Sequence, residues 1–191
     1  MHTHRKLLSI LVILFLSALA CQVDVGGPEA ERPDVAIPVS TEAVSTMKDA
    51  WQVAFDSAEQ TGSVTITLTE QQLTSFLHFR LAEQESPLLT DPQVYLRDNA
   101  LQVFGTANTG NVTATVRMVI NATVNEETGL PAFELTAVDF GPIPVPTGLL
   151  DSITTALNEA FTGQFGPVAT GLRVEGIVIT EGLMVISGRT K

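Results

Sequence analysis

From Val112 to Val124 every second residue is apolar: Val112, Ala114, Val116, Met118, Ile120, Ala122 and Val124. The alternate positions, Asn111, Thr113, Thr115, Arg117, Asn121 and Thr123, are polar, with Val119 the one exception. A period of two sends successive side chains to opposite sides of an extended chain, so this stretch is a strand with one dry and one mostly wet face. At about 3.3 Å per residue it reaches roughly 45 Å, far longer than a common strand of about 5 to 6 residues. A strand of that length bends around whatever it packs on.

Other segments carry the same two periods. Val44, Met47, Trp51, Phe55 and Ala58 fall at helical spacing behind Ser40 or Thr41, predicting a helix over about 42–60. Val64, Ile66 and Leu68 alternate with Ser63, Thr65, Thr67 and Thr69 as a half-buried strand. Thr69 to Gln72 then has the form of a capping box, and Leu73, Phe76, Leu77 and Leu81 give the apolar face of a second helix over about 70–84. The middle predicts strands at Val94–Arg97, Leu101–Ala107 and Ala132–Phe140 around the long one, with turns at Asp98-Asn99, Asn108 to Gly110 and Asn125 to Gly129. Gly141 to Pro146 holds three prolines that cannot donate to a ladder, so it crosses an edge or rim. Leu149, Leu150, Ile153, Ala156, Leu157, Ala160 and Phe161 form the stripe of a third helix stopped by Gly163, and Leu172–Thr180 with Leu183–Gly188 closes as a hairpin around Glu181-Gly182.

The layout of helix, strand, helix, meander, helix and hairpin predicts an α+β domain, a curled antiparallel sheet with a long central strand gripping amphipathic helices. The hairpin carries apolar residues on both faces: Val174 and Val178 against Ile177 and Ile179, then Leu183 and Val185 against Met184 and Ile186. Each fully exposed branched side chain forgoes about 1.5 to 3 kcal/mol, so both faces are expected to be covered, either by a helix on each or with one face lining a lipid groove or meeting a partner.

The N-terminus has a different logic. His4-Arg5-Lys6, an apolar run from Leu7 to Leu16 and the small-residue end Ser17 to Ala20 follow the three-part plan of a secretory signal peptide over residues 1–20. The apolar run is shorter than the roughly 20 residues of a spanning helix. Cys21 is the only cysteine, which excludes an intrachain disulfide. Leu16 to Cys21 resembles a bacterial lipobox, with Ala18 where leucine is commonest, and the resemblance implies that Cys21 carries a lipid anchoring the chain to the bacterial cell membrane, outside the cytoplasm. Residues 21–41, with Gly26-Gly27-Pro28, Pro33, Pro38 and four acids, read as a flexible tether, leaving 42–191 as a single domain. Loss of Arg5 and Lys6 leaves 8 basic against 21 acidic residues, a net charge of −13, which makes nucleic acid a poor partner.

The strand 63–69 followed by Leu-Thr-Glu-Gln-Gln-Leu (Leu68 to Leu73), the long strand, the Gly-Pro-Ile-Pro-Val-Pro segment, the third helix and the ending Ile179 to Gly188 together resemble YpmS-like and LmeA-like extracytoplasmic lipoproteins. The resemblance covers about residues 60–190. It implies a tubular lipid-binding type of domain, in which a curved sheet grips a helix and leaves an apolar groove for phospholipid acyl chains. It implies no catalytic residues.

The residues supply none either. His78, the one histidine after residue 20, has no second His or Cys to share a metal and no nucleophile motif beside it. Asp98, Glu126, Glu127 and Glu181 lie in turns without a calcium-loop pattern, so neither metal nor cofactor is expected. Two readings follow. In the first, the chain binds or transfers acyl-chain lipids, phospholipid or fatty acid, in a groove between sheet and helix. Val112, Ala114, Val116, Met118 and Ile120 of the long strand with Leu150, Ile153 and Leu157 of the third helix would line it, the alanines leaving room. In the second, a fully packed domain is tethered as an interaction or scaffold protein for an envelope partner.

Overall fold

Capping fixes where the first two helices begin. Ser40, extended at φ −150°, accepts a hydrogen bond from Ala43 N at 3.1 Å and starts helix α1, Thr41–Thr61. Thr69 accepts from Gln72 N at 3.2 Å while Gln72 Oε1 accepts from Thr69 N at 2.9 Å, the reciprocal box that starts α2, Glu70–Ala82. Between them lies β1, Ser63–Thr69, and after α2 come β2 (Leu89–Arg97), β3 (Ala100–Thr109), β4 (Val112–Asn125), β5 (Leu130–Asp139), β6 (Leu172–Thr180) and β7 (Leu183–Thr190). This computed structural model describes residues 30–85, 87, 89–109, 112–140, 148, 151, 153–155 and 172–190. Residues 151 and 153–155 are helical, within the third helix expected from the sequence, and Gly148 just before it is helical too; the other positions of that helix and the Gly141 to Pro146 segment lie outside the described residues.

The class is α+β as read from the sequence, with the strands divided between two antiparallel sheets. One is the meander β2-β3-β4-β5 and the other the three-stranded β1-β7-β6. Leu101, Val103, Gly105 and Ala107 of β3 stand opposite Ile120, Met118, Val116 and Ala114 of β4, so the alternation of the long strand is matched across the ladder. In the smaller sheet Val64, Ile66 and Leu68 face Gly188, Ile186 and Met184. These inner faces share one core with Met47, Trp51, Ala54 and Ala58 of α1 and Leu73, Leu77 and Leu81 of α2.

Hydrogen bonds across the sheets place them. The β6 end near Val174 donates to Gly129 O in the β4–β5 turn at 2.9 Å, and Gly182, beyond its other end, donates to Leu96 O of β2 at 3.0 Å. The registers put the end of β2, the start of β3 and the β4–β5 turn at one end of the meander, so β6 runs across strand ends rather than alongside a strand. Glycine is required at the first of these contacts. Gly129 has φ +68°, and a Cβ there would come within 2.5 Å of Arg173 Cγ.

The outer edge of β2 is sealed by α2 instead of a strand. Thr74, fully buried, accepts from Val94 N at 2.9 Å, and Glu70 Oε1 accepts from Leu96 N at 2.8 Å. Arg97 pairs with Glu70 and, at 3.0 Å, with Glu181 of the β6–β7 turn.

Three sequence expectations need revision. β2 starts five residues before Val94, because a bulge between Thr90 and Gln93, with Asp91 at φ 48°, absorbs Asp91-Pro92. A second bulge between Val174 and Gly176 resets the parity of β6, so Val174 joins Ile179 in the core while Val178 is 57% exposed. Among the described residues no helix covers the second face of the hairpin: Leu183 is also exposed and Val185 half-buried. Finally, the segment expected as free tether is laid against the domain from Ala30 onward, where Gln93, Tyr95 and Thr106 on the wet face of β2 and β3 bind it.

Thr74→Val preserves shape while leaving the Val94 N–H buried without an acceptor. The expected loss is about 1 to 3 kcal/mol of stability in urea unfolding, with an unchanged fold by circular dichroism.

Candidate functional site

The groove residues named from the sequence fall in two groups. Val116 and Met118 are completely buried, Ile120, Ala114 and Ile153 nearly so, and all but Ala114 belong to the central core cluster. Ala114 stands opposite Ala107 of β3, and both are buried, at 4% and 1% exposure, so this small-residue pair lies in a closed part of the structure and not on an open groove. The side chain of Val112, and Leu150, Leu157 and Cys21, lie outside the described residues.

The dry face of β4 does not end at Ile120. Ala122 and Val124 continue it and are half-buried, as are Phe133 of β5 and Ile177 of β6, while Leu135 is exposed. The face is sealed over β2, β3 and the first part of β4 and opens toward β5 and the far end of β4. There a cleft of about 480 Å³ separates Ala122 to Glu126 from Arg173 to Ile177. Its apolar lining is Ala122, Val124, Val174 and Ile177, with Thr123 and Asn125 as uncharged polar members of the wall. Charge is confined to Glu126, Arg173 and Glu175. Glu175 is paired with Arg189 at 2.9 Å, whereas the Arg173 guanidinium donates to a backbone oxygen, Glu126 O at 2.7 Å. Sequence alternation marks Ala122 as part of the dry face, but the β6 wall depends on the bulge that alternation does not show.

A second cleft, of about 540 Å³, lies on the opposite, wet face of the meander. Ala30 to Pro33 form one wall and Gln102, Phe104, Arg117 and Asp139 the other. Beside it Tyr95 and Phe104 meet edge to face at 5.6 Å between centroids, and the Tyr95 hydroxyl donates to Val35 O at 2.8 Å. Burial, and after it the Glu70 carboxylate, raises the Tyr95 pKa above 10.0, more than nearby Arg32 and Arg97 lower it.

His78 is half-buried on α2, edge to face with Phe79, and no nucleophile or carboxylate is brought to it by a hydrogen bond among the described residues. No three His, Cys, Asp or Glu side chains converge as a metal site among the described residues, and no described helix is long and apolar enough to cross a membrane. No protein-family model and no curated protein sequence matches the chain.

Two measurements check this geometry. Ala114→Trp overfills a closed contact and is expected to cost about 1 to 3 kcal/mol or more in thermal or urea unfolding. Tyr95 is the only tyrosine, so the phenolate absorbance reports it alone. The folded protein should ionise above 10.0 and the urea-unfolded chain near it. Because the folded pKa is the higher, this contribution to stability is complete below the unfolded value and disappears as pH rises through the folded one.

Proposed function

We propose that this chain is a membrane-anchored envelope lipoprotein that binds or transfers acyl-chain lipid, taking the chain into the cleft between the far end of β4 and β6. The observation that carries this reading is the dry face running unbroken from the core, through Val116, Met118 and Ile120, out to the half-buried Ala122 and Val124 at the cleft wall. An apolar strip that is closed at one end and open at the other suits a long flexible hydrocarbon with a solvated head. The cleft volume of about 480 Å³ falls within the range of roughly 300 to 1,000 Å³ typical of small-molecule sites. The lipobox at Leu16 to Cys21 supplies the anchoring half of the proposal, bringing the cleft to a surface where such ligands are concentrated.

A second reading, a tethered docking protein, draws on Val178 and Leu183, exposed on the outer face of the β6–β7 hairpin with half-buried Val185 between them. The two are separated by experiment. Protein purified natively is expected to carry phospholipid or fatty acid by mass spectrometry and to bind a fluorescent fatty acid. Ala122→Trp, which fills the cleft from an already open position, should lower probe affinity at least 10-fold with an unchanged melting transition. Absence of lipid together with absence of probe binding eliminates the lipid reading.

A further inference from the structure

We propose that residues 31–39 form a releasable strap that sets how far the domain reaches from its anchor, a proposal that rests on the reading of Cys21 as the lipidated residue. The contacts holding the segment are almost all to its backbone. Gln93 reads one residue twice, accepting from Ile37 N at 2.6 Å and donating to Ile37 O at 3.2 Å, and Tyr95 donates to Val35 O. Arg32 Nη2 donates to Thr106 Oγ1 at 2.7 Å, yet its Nε is buried without a partner. The side chains of the segment contribute little. Between Ala30 and Val39 only Ala30 is fully buried, and Val35 is 77% exposed. The segment is held by a few polar contacts and by the cover it gives to Tyr95 and Phe104, and with so little burial of its own side chains it opens at a lower free energy than the core.

The opening has a defined limit. Ser40 caps α1, and its own N–H donates to Ser75 Oγ of α2 at 3.1 Å, while Met47 and Trp51 about two and three turns later are buried in the core. Release therefore stops at Ser40. Nine peptide units join Cys21 to Ala30, a reach of at most about 30 Å, and nineteen join Cys21 to Ser40, at most about 65 Å. Docked, the strap limits the tether to the shorter span; released, it roughly doubles the maximum reach.

Trp51, the only tryptophan and itself in α1, serves as an energy donor to a dansyl-headgroup lipid in vesicles bearing the anchored protein. Ile37→Pro removes the N–H that Gln93 accepts without altering the sheet, and Gln93→Ala removes both contacts from the other side. Each is expected to lower the efficiency of energy transfer at least twofold with an unchanged melting transition. In the unsubstituted protein, amides 34–37 should exchange with deuterium at least tenfold faster than those of Met47 to Ala58. Unchanged transfer in both variants, or exchange of the strap amides as slow as that of α1, overturns the proposal. Failure of the anchoring reading is seen separately, as an unmodified mass for the Cys21 peptide. Coupling that thiol to a maleimide-headgroup lipid then restores the geometry in which the strap is tested.

Discussion

The outer edge of β2 is the constraint on which the architecture depends. A strand edge presents unpaired N–H and C=O groups that must meet water, another strand or side chains. Here the side chains of α2 supply the acceptors: Thr74 for Val94 N and Glu70 for Leu96 N. Once α2 lies along that edge, β1 and α1 follow by short connections on its N-terminal side, and Leu96 O remains for Gly182 of the β6–β7 turn. The two sheets are thus coupled at the end of β2 as well as at the β4–β5 turn, where Val174 meets Gly129. Glu70, Arg97 and Glu181 add charge to the same junction, with Glu181 largely solvated, so the neutral hydrogen bonds carry more of the coupling than the outer ion pair.

That coupling explains why the long strand projects. β3 pairs with β4 only as far as Ile120, and from Asn121 to Asn125 the partner is β5 alone. Because β6 crosses the strand ends and meets the β4–β5 turn, the projecting ribbon is fixed at its tip while its dry face is left partly open between. The cleft is consequently a product of topology: a strand longer than its neighbour on one side and a crossing strand pinned at the tip.

Where hydrophobic position alone decides the structure, the sequence is legible. β1, β4, both helices, their caps and the closing hairpin follow from periodicity and from Ser40, Thr69 and Glu181-Gly182. Irregular backbone defeats the same logic. The bulge at Thr90 to Gln93 hides the start of β2 behind Asp91-Pro92, and the bulge at Val174 to Gly176 reverses which β6 side chains are inward. Alternation also identifies a dry face without saying what covers it, so Val116, Met118 and Ile120 read equally as core or groove until their packing partners are placed. The strap is the least legible part, because the information that binds it resides in Gln93, Tyr95 and Thr106 rather than in its own acidic, Pro-containing sequence.

Charge gives the strap its physical context. In the proposed anchored state the chain carries a net charge of −13 beside a membrane surface that is commonly anionic. Repulsion between exposed charges fades over a Debye length of about 8 Å at physiological salt, much less than the docked reach of about 30 Å. Electrostatics therefore orients the acidic domain and keeps its surface off the headgroups but does not choose between the short and long tether. That choice falls to the polar contacts at Gln93, Tyr95 and Thr106, which are local and insensitive to salt by comparison. A partner or ligand that alters the wet face of β2 and β3 would change the reach of the domain without touching the cleft on the opposite side of the sheet.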